Sequence, residues 1–295
     1  MVARREFLQW TGLALASLAT GAWAARPAAP SLQPLRRSFK DIEARAGGRL
    51  GVFLLDTGSG QQVGWRQDER FPMCSTFKVL LAAAVLKEAD AGRLSLDRRL
   101  PIRKQDLMHN SPVAEKHVGP EGLDLATLCE AIVNVSDNAA ANLLLPLIGG
   151  PPGLTRFARG IGDTRTRLDR NEPTLGSAEP GDPRDTTTPR AMAGNLQRLL
   201  LGDVLKAASR DKLTAWMLDN RTGGKRLRAG LPADWRVGDK TGKGGHATTN
   251  DIAILWPPGR APLLLACYFT ASKLDDDGQD GVHRDVAAAV ARAFG

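Results

Sequence analysis

The chain enters its most apolar segment through Arg70-Phe-Pro-Met-Cys-Ser-Thr-Phe-Lys78, and residues rich in alanine, leucine and valine continue to Lys87. This run predicts a buried helix over 76–87 that begins close to Ser75. Ser75 and Lys78 are three residues apart and share a helix face, so we expect the amine to reach the hydroxyl. The first-turn N–H groups lack partners within the helix, which favours a negative charge developing at Ser75.

Two further patterns accompany Ser75-x-x-Lys78 along the chain, Ser136-Asp137-Asn138 and Lys240-Thr241-Gly242. A Ser-x-x-Lys pattern alone carries little weight, since Ser209-Arg-Asp-Lys212 has it without companions at a comparable spacing. Each companion also has a plain structural interpretation, as a helix cap or as the end of a strand. Together the three patterns supply the groups needed to attack a cyclic amide and to hold its carboxylate.

Apolar runs at the two ends of the chain predict five strands and a closing helix. The strands are Arg49–Asp56, Gln61–Trp65, Trp235–Lys240, Asp251–Trp256 and Leu263–Phe269, and the helix is His283–Phe294. In between, apolar residues recur at helical spacing, as in Leu125, Leu128, Ile132 and Val135. We therefore predict an α+β fold, in which an antiparallel five-stranded sheet with terminal helices receives an inserted all-helical domain.

The domain prediction follows from that pattern. Residues 26–70 and 221–295 would form a discontinuous α/β domain, and residues 71–220 the all-helical domain, with an irregular loop at about 167–185. The 295 residues, 42% of them apolar, have room for one large or two medium domains with a real core. A site between the two domains is where the three patterns can meet.

The first 25 residues have the features of an export signal. Arg4-Arg5 precedes an apolar run from Trp10 to Ala19, and Ala22-Trp-Ala24 provides a small-x-small cleavage site. The run is shorter than the ~20 residues that cross a bilayer, which disfavours a membrane anchor. We predict export to the periplasm by the twin-arginine route, removal of residues 1–25, and no stable membrane association afterwards.

Composition argues against several other classes of protein. The net charge of +8 is spread along the chain without a basic run interleaved with aromatic residues, so we expect no nucleic-acid partner. The four histidines show no metal-ligand spacing, and we predict neither a metal nor another cofactor. Cys74, Cys129 and Cys267 lie in apolar surroundings, so we expect three buried free thiols.

The chain resembles the class A serine β-lactamases over nearly everything after residue 25. The three patterns are a known signature of that family and of the penicillin-binding proteins. The stretches that match are Arg70–Lys78, Ser111-Pro-Val-Ala-Glu-Lys-His117, Arg170-Asn-Glu-Pro173, Asp182-Pro-Arg-Asp-Thr-Thr-Thr-Pro189 and Asn250-Asp-Ile-Ala-Ile-Leu-Trp-Pro-Pro258. The resemblance implies a monomer with the β-lactamase/transpeptidase-like fold. It also implies a small-molecule β-lactam substrate, hydrolysed through an acyl-serine intermediate to give antibiotic resistance.

The resemblance also implies catalytic roles. Ser75 is the nucleophile, and its base is either Lys78 or Glu172 acting through water, two alternatives that the sequence leaves open. Ser136 relays a proton to the departing ring nitrogen. Lys240 is a like charge that is expected to lower the pKa of Lys78, while Glu172 would raise it. Glu172 is also the expected base for deacylation, without which the acyl-enzyme would persist.

For substrate binding, the resemblance points to a cation that faces the β-lactam carboxylate. Thr249 stands where many class A enzymes have an arginine, and Arg226 matches an alternative source of the guanidinium. Asn138 and Thr241 are expected to contact the acylamide side chain and the carboxylate. The backbone N–H groups of Ser75 and Lys243 would hold the oxyanion.

Four positions depart from the family pattern. Asn110 stands where an aromatic residue often stacks on the substrate, and Gly176 replaces the asparagine that normally helps to hold the deacylating water. Lys243, next to Gly242, adds a cation at the pocket rim. Gly244 is not a cysteine, so the disulfide that some carbapenem-hydrolysing relatives form with the residue before the nucleophile cannot form here.

Two rival functions share this set of residues. A cell-wall transpeptidase or carboxypeptidase would have the same serine site, and a β-lactam receptor would be acylated without turnover. Glu172 argues against the peptidase, and the apparent lack of a membrane span after residue 25 argues against the receptor. In the family, an ion pair matching Arg170 and Asp185 closes the loop around Glu172, so we expect an ordered loop.

Overall fold

Residues 31–295 are the part of the chain that the computed structural model describes, and the predicted export signal lies outside it. The α-helices are α1 Gln33–Ala46, α2 Phe77–Asp90, α3 Leu125–Asn134, α4 Asn138–Leu144, α5 Gly150–Gly160, α6 Pro189–Leu200, α7 Ala207–Leu218 and α8 Asp276–Phe294. The strands are β1 Arg49–Asp56, β2 Gln62–Trp65, β3 Phe71–Pro72, β4 Arg99–Ile102, β5 Gly119–Asp124, β6 Thr186–Thr187, β7 Arg236–Gly244, β8 Thr248–Trp256 and β9 Leu263–Thr270.

The main sheet joins strands from both ends of the chain. Its five strands run in the order β2-β1-β9-β8-β7, and every neighbouring pair is antiparallel. The helices α1 and α8 pack on one face of this sheet, and their apolar residues share a core with Val52, Leu265 and Cys267. The α+β fold with a five-stranded antiparallel sheet and terminal helices is therefore confirmed.

The other face of the sheet packs against the helices that lie between β3 and β7. At their centre is α2, whose residues Phe77 to Leu86 are all buried. Such a helix shows no polar stripe because neighbours surround it on every side. Since α2 follows Ser75 directly, the buried helix anchors the serine at the junction between the sheet and the helices. The boundaries of the two predicted domains stay a prediction.

Several elements are longer than the sequence predicts, among them β7, β8 and α8. The strand β7 continues to Gly244, so Lys240-Thr241-Gly242 lies inside a strand and not at its end. Small residues interrupt the apolar pattern there, but they still pair with β8, as Gly242 does with Asn250. Likewise α8 begins at Asp276, seven residues before His283, because Asp275 caps its N-terminus through a 2.9 Å bond from the Gly278 N–H.

Within residues 31–295, no helix has the length and apolar character needed to cross a membrane. The three cysteines are all buried and unpaired. The same residues contain no group of three or more His, Cys, Asp or Glu side chains arranged to hold a metal ion.

Candidate active site

Ser75 lies in a single 3₁₀ turn, Cys74–Thr76, that runs directly into α2. The residue before it, Cys74, has a φ of 44°, a left-handed conformation that is costly for a residue with a side chain. This turn leaves the Ser75 side chain at the wall of a pocket, where its Oγ donates to Glu172 Oε1 at 3.4 Å. The serine is thus presented to solvent at the start of a helix that is otherwise buried.

Lys78 is fully buried and joins two of the sequence patterns. Its Nζ donates to the carbonyl oxygen of Ser136 at 2.8 Å, to the Ser136 Oγ at 3.3 Å and to Asn138 Oδ1 at 2.5 Å. It also lies 3.1 Å from Glu172 Oε1. The expected direct contact with Ser75 is not among the hydrogen bonds of residues 31–295. The shared Glu172 oxygen links the amine to the serine hydroxyl instead.

The charge states of the two lysines follow from burial. Burial lowers the pKa of Lys78, and the Glu172 carboxylate opposes that change. The pKa of Lys240 is lowered further below its ordinary value, first by burial and then by the charge of Lys78. Desolvation is therefore the main cause of the lowered pKa of Lys78, and the charge of Lys240 is not among its largest causes.

The Ser136-Asp137-Asn138 pattern caps α4 and also fixes the pocket wall. Asp137 Oδ1 accepts from the Ala140 N–H at 2.9 Å, which is an ordinary N-cap. Its Oδ2 accepts from the N–H groups of Val113 and Ala114, both at 2.9 Å, which fastens the neighbouring loop. The capping interpretation and the functional one are thus compatible. The cap holds the two polar neighbours of Asp137 at the pocket.

Glu172 is carried by the loop at 167–185, which two sets of contacts close. The expected ion pair is present, with Arg170 Nε 2.5 Å from Asp185 Oδ2. Asn142 holds Glu172 by two bonds, accepting from its N–H at 3.0 Å and donating to its carbonyl at 2.9 Å. Sequence reasoning missed Asn142. The available signal was its position four residues after Asn138 on α4, which places both on one helix face.

A pocket of about 470 Å³ opens in front of Ser75. Its lining residues come from all three patterns and their neighbours, from the segment between β4 and β5, and from the segment between α7 and β7. They are Ser75, His109, Asn110, Val135, Ser136, Asn138, Thr222, Arg226, Thr241, Gly242, Lys243 and Gly244. Lys78 and Lys240 are fully buried behind this lining. The Lys240 Nζ donates to the Thr241 carbonyl at 2.9 Å, so it lies along β7. His109 and Thr222 are lining residues that the sequence analysis did not single out.

Gly176 does not line this pocket. Its carbonyl accepts from the Gly245 N–H at 2.8 Å, which ties the loop to the turn between β7 and β8. A Cβ placed on Gly176 would meet no atom within 4 Å. There is therefore room at this position for the asparagine of the family pattern.

Arg226 reaches the pocket as expected, but most of its hydrogen-bonding capacity is already used. Its Nε donates to Asp280 Oδ1 at 2.6 Å. Its Nη1 donates to the carbonyls of Gly242 and Asn250, both at 2.8 Å. The side chain is only 9% exposed. Asp280 is a further partner that sequence reasoning missed, because it lies more than fifty residues away in a helix predicted to start later.

The other two basic candidates at this end are held differently. Lys243 is exposed and its Nζ contacts Asp276 Oδ2 at 2.6 Å, so it lies at the rim of the pocket. Arg228 points away from the pocket lining, pairing with Asp239 and donating to the carbonyls of Met217 and Leu218. Arg226 is thus the one cation in residues 31–295 that combines burial with a place in the pocket wall.

Comparison with known proteins agrees with this geometry. The model described as "Beta-lactamase enzyme family" matches residues 34–294. The ancestral (GNCA) class A β-lactamase is 60% identical and superposes with a TM-score of 0.87, over 88% of this chain and 100% of that one. The chain belongs to the class A β-lactamases. Beta-lactamase L2 of Stenotrophomonas maltophilia is 48% identical over the whole of both chains. The β-lactamase of Xanthomonas campestris is 57% identical, with a TM-score of 0.87 over 89% of this chain and 98% of that one.

Membership of the family gives the departures their context. Ser75 lines the pocket, while Lys78, Lys240 and Glu172 are buried beside it. Asn110 is part of the pocket lining, and its side-chain amide donates to the Ser136 carbonyl at 2.7 Å. A Cβ on Gly244 would lie 2.6 Å from the Cys74 Sγ, so this position directly faces the cysteine that precedes the nucleophile.

Proposed function

We propose that this protein hydrolyses the ring amide of penicillins and cephalosporins through an acyl-Ser75 intermediate and so confers resistance to them. One observation carries the proposal above all. Glu172 Oε1 lies within hydrogen-bonding reach of both Ser75 Oγ, at 3.4 Å, and Lys78 Nζ, at 3.1 Å. A carboxylate in contact with the nucleophile is what a deacylating enzyme needs and what a protein that only becomes acylated lacks.

In acylation, the Ser75 hydroxyl attacks the lactam carbonyl while a base takes its proton. Lys78 is one candidate, because its burial favours the neutral amine that can accept a proton. Glu172 is the other, acting through water. The backbone N–H groups of Ser75 and Lys243 would stabilise the oxyanion, each contributing roughly 3–4 kcal/mol. Ser136, bonded to Lys78, would return a proton to the ring nitrogen as the amide bond breaks.

In deacylation, Glu172 would take a proton from a water that attacks the Ser75 ester, and the serine oxygen would leave with that proton. The contacts with Asn142 hold the Glu172 backbone, and the Arg170–Asp185 pair holds the loop on which it sits. A glutamate whose backbone and loop are held in this way needs little reorganisation when the water arrives. The loop is therefore part of the catalytic machinery and not a cover over it.

Substrate binding would use the pocket lining. Arg226 would attract the carboxylate of the β-lactam, helped by the Thr241 hydroxyl and by Lys240 behind it. Asn138 would contact the acylamide side chain, although its Oδ1 also accepts from Lys78. Gly242 and Lys243 would present backbone groups along the inner edge of β7. Asn110 leaves the opposite wall without an aromatic surface.

A chromogenic cephalosporin tests the proposal. The wild-type protein should give many turnovers, and Ser75→Ala should give none and form no covalent adduct. Glu172→Gln should form an adduct by intact-protein mass spectrometry while turnover is lost, because an amide cannot take a proton from water. The matched control is Ser209→Ala, since Ser209 bonds Asp90 in α2 and lies in the other Ser-x-x-Lys pattern.

Other outcomes would point to the rival functions. A single stoichiometric burst from the wild-type protein would indicate a transpeptidase or a receptor, and an adduct in Ser75→Ala would place the nucleophile elsewhere. We further propose that the enzyme acts as a periplasmic monomer after export by the twin-arginine route. The motif at Arg4-Arg5 and the cleavage site near Ala24 support that route. N-terminal sequencing of the exported protein tests the cleavage near Ala24.

A further inference from the structure

The helix α8 contacts the carboxylate end of the pocket through two residues on one of its faces. Asp280 bonds the Arg226 Nε, as described above. His283, three residues further on, lies on the same face, and its Nε2 is 3.1 Å from the Thr249 Oγ1. One helix therefore holds both the guanidinium and the neighbouring strand β8. No part of the reaction described so far uses His283.

His283 is an unusual residue to find at this place. It is fully buried, and its Nδ1 has no hydrogen-bond partner in residues 31–295. Burial lowers the pKa of His283 well below its ordinary value, and the nearby Arg226 lowers it further. The ring is therefore neutral at working pH. A neutral imidazole can hold Thr249 without adding a second positive charge beside the guanidinium.

The contact with Thr249 bears directly on Arg226. Thr249 precedes Asn250, whose carbonyl accepts from the Arg226 Nη1 at 2.8 Å. The facing residue on β7, Gly242, accepts from the same nitrogen. With Nε held by Asp280 and Nη1 held by these two carbonyls, Nη2 is left for a ligand. The direction of Nη2 then depends on where β8 places the Asn250 carbonyl.

We propose that His283 is a positioning residue for the substrate carboxylate, acting through Thr249 to hold the strand carbonyl that directs Arg226 into the pocket. The inference rests on the proposed function, in which Arg226 binds that carboxylate. It predicts that disturbing His283 affects only substrates that carry the carboxylate. A residue that merely stabilised the fold would affect all substrates alike.

The experiment compares one penicillin as its free acid and as its methyl ester. The measured quantity is the ratio of kcat/KM for the acid to kcat/KM for the ester. The wild-type ratio should be well above one. His283→Leu should lower it by about tenfold, the change expected when a charged hydrogen bond is weakened by misalignment. The rate with the ester should stay unchanged. Asp277→Asn is the control, because Asp277 lies on α8 in an exposed pair with Lys225.

Two further variants separate positioning from packing. Thr249→Val keeps the shape of the side chain and removes the hydroxyl, so it should lower the ratio as much as His283→Leu. The two changes combined should cost no more than one, because they remove the same contact. His283→Gln can donate from a similar position and should retain most of the ratio. If His283→Leu does not fold, Thr249→Val carries the test.

Each outcome has one meaning. If the wild-type protein hydrolyses neither compound, the proposed function and this inference are both wrong. If it hydrolyses acid and ester equally well, the β-lactamase activity stands, but the role of Arg226, and this inference with it, is wrong. If the wild-type ratio is high and Thr249→Val and His283→Leu keep it, only the role of His283 is overturned.

Discussion

Replacing Asp251 with asparagine should make the protein more stable at neutral pH, although a buried carboxyl group is removed. Asp251 is fully buried on β8 and contacts Asp239 of the neighbouring strand. Burial raises the pKa of Asp251 well above its ordinary value, and the charge of Asp239 raises it further. The folded protein therefore keeps a proton on Asp251 that the unfolded chain gives up.

The sign and size of this change in stability follow from proton linkage. A carboxyl with a raised folded-state pKa contributes its full stability below about pH 4, the unfolded pKa, and loses it as the pH rises towards the folded value. The loss is about 1.4 kcal/mol per pH unit over that interval. Asparagine cannot ionise and can still donate to Asp239. The second N–H of the asparagine finds no acceptor, which costs about 1 kcal/mol. After this cost, we expect the free energy of unfolding to rise by about 1–3 kcal/mol near neutral pH.

Asp239 is the matched control, because the same substitution there should have the opposite effect. Its Oδ1 accepts from Arg228 Nε at 2.5 Å, and its Oδ2 accepts from Asn220 Nδ2 at 2.6 Å. Asp239→Asn leaves the Arg228 guanidinium without its counter-charge. Breaking a buried pair costs about 3–5 kcal/mol, and the expected loss is at the lower end because the Arg228 side chain is 27% exposed.

Thermal and urea unfolding at about pH 5 and about pH 8 would measure both effects. The advantage of Asp251→Asn should be larger at the higher pH, and each kcal/mol should raise Tm by about 2–4 °C. The reasoning is refuted if Asp251→Asn is less stable than the wild-type protein at the higher pH. It is equally refuted if its advantage is the same at both pH values.

Three more predictions concern the site and the thiols. Arg226→Ala should lower kcat/KM for carboxylate-bearing β-lactams by the equivalent of about 2–3 kcal/mol and should also destabilise the fold, because Asp280 loses its partner. An unchanged kcat/KM would move the carboxylate site to Lys243 at the rim of the pocket. Gly176→Asn should fold normally, because a Cβ at this position meets no atom. It should speed deacylation of small penicillins by a modest factor, of the order expected from one water-mediated hydrogen bond, and slow acylation by bulky oxyimino cephalosporins. Pre-steady-state kinetics that show neither change would contradict this prediction. Titration of the denatured protein with a thiol reagent should count three thiols, and a count of one would mean that a disulfide forms.

Local sequence patterns predicted the elements around the candidate site. The apolar run after Ser75 predicted α2, and the apolar run in Arg49–Asp56 predicted β1 to the residue. Both depend on local patterns of burial, which a sequence displays directly. The Arg170–Asp185 pair came instead from the family resemblance, and it is present.

What the sequence could not give are contacts between distant segments. The partners of Glu172 and Arg226 include Asn142 and Asp280. The spacing of Asn138 and Asn142 places both on one helix face, but no local pattern shows that this face meets Glu172 or that Asp280 meets Arg226. The direct contact expected between Ser75 and Lys78 depended on helical spacing alone. No hydrogen bond joins the two groups in residues 31–295; the serine lies in a 3₁₀ turn before α2, and Glu172 Oε1 contacts both side chains instead.

The sheet that pairs the two ends of the chain has a consequence for how the protein folds. Arg49 of β1 pairs with Thr270 of β9, so the strands that meet at the centre of the sheet are separated by most of the sequence. Closing so long a loop costs chain entropy before any strand pairing repays it. The helices between the strands make local contacts and can form earlier. During synthesis, β1 and β2 must therefore wait for β9 and α8 to leave the ribosome, and a nascent chain that ends before Leu263 has an unpaired hydrophobic hairpin for chaperones and proteases to bind.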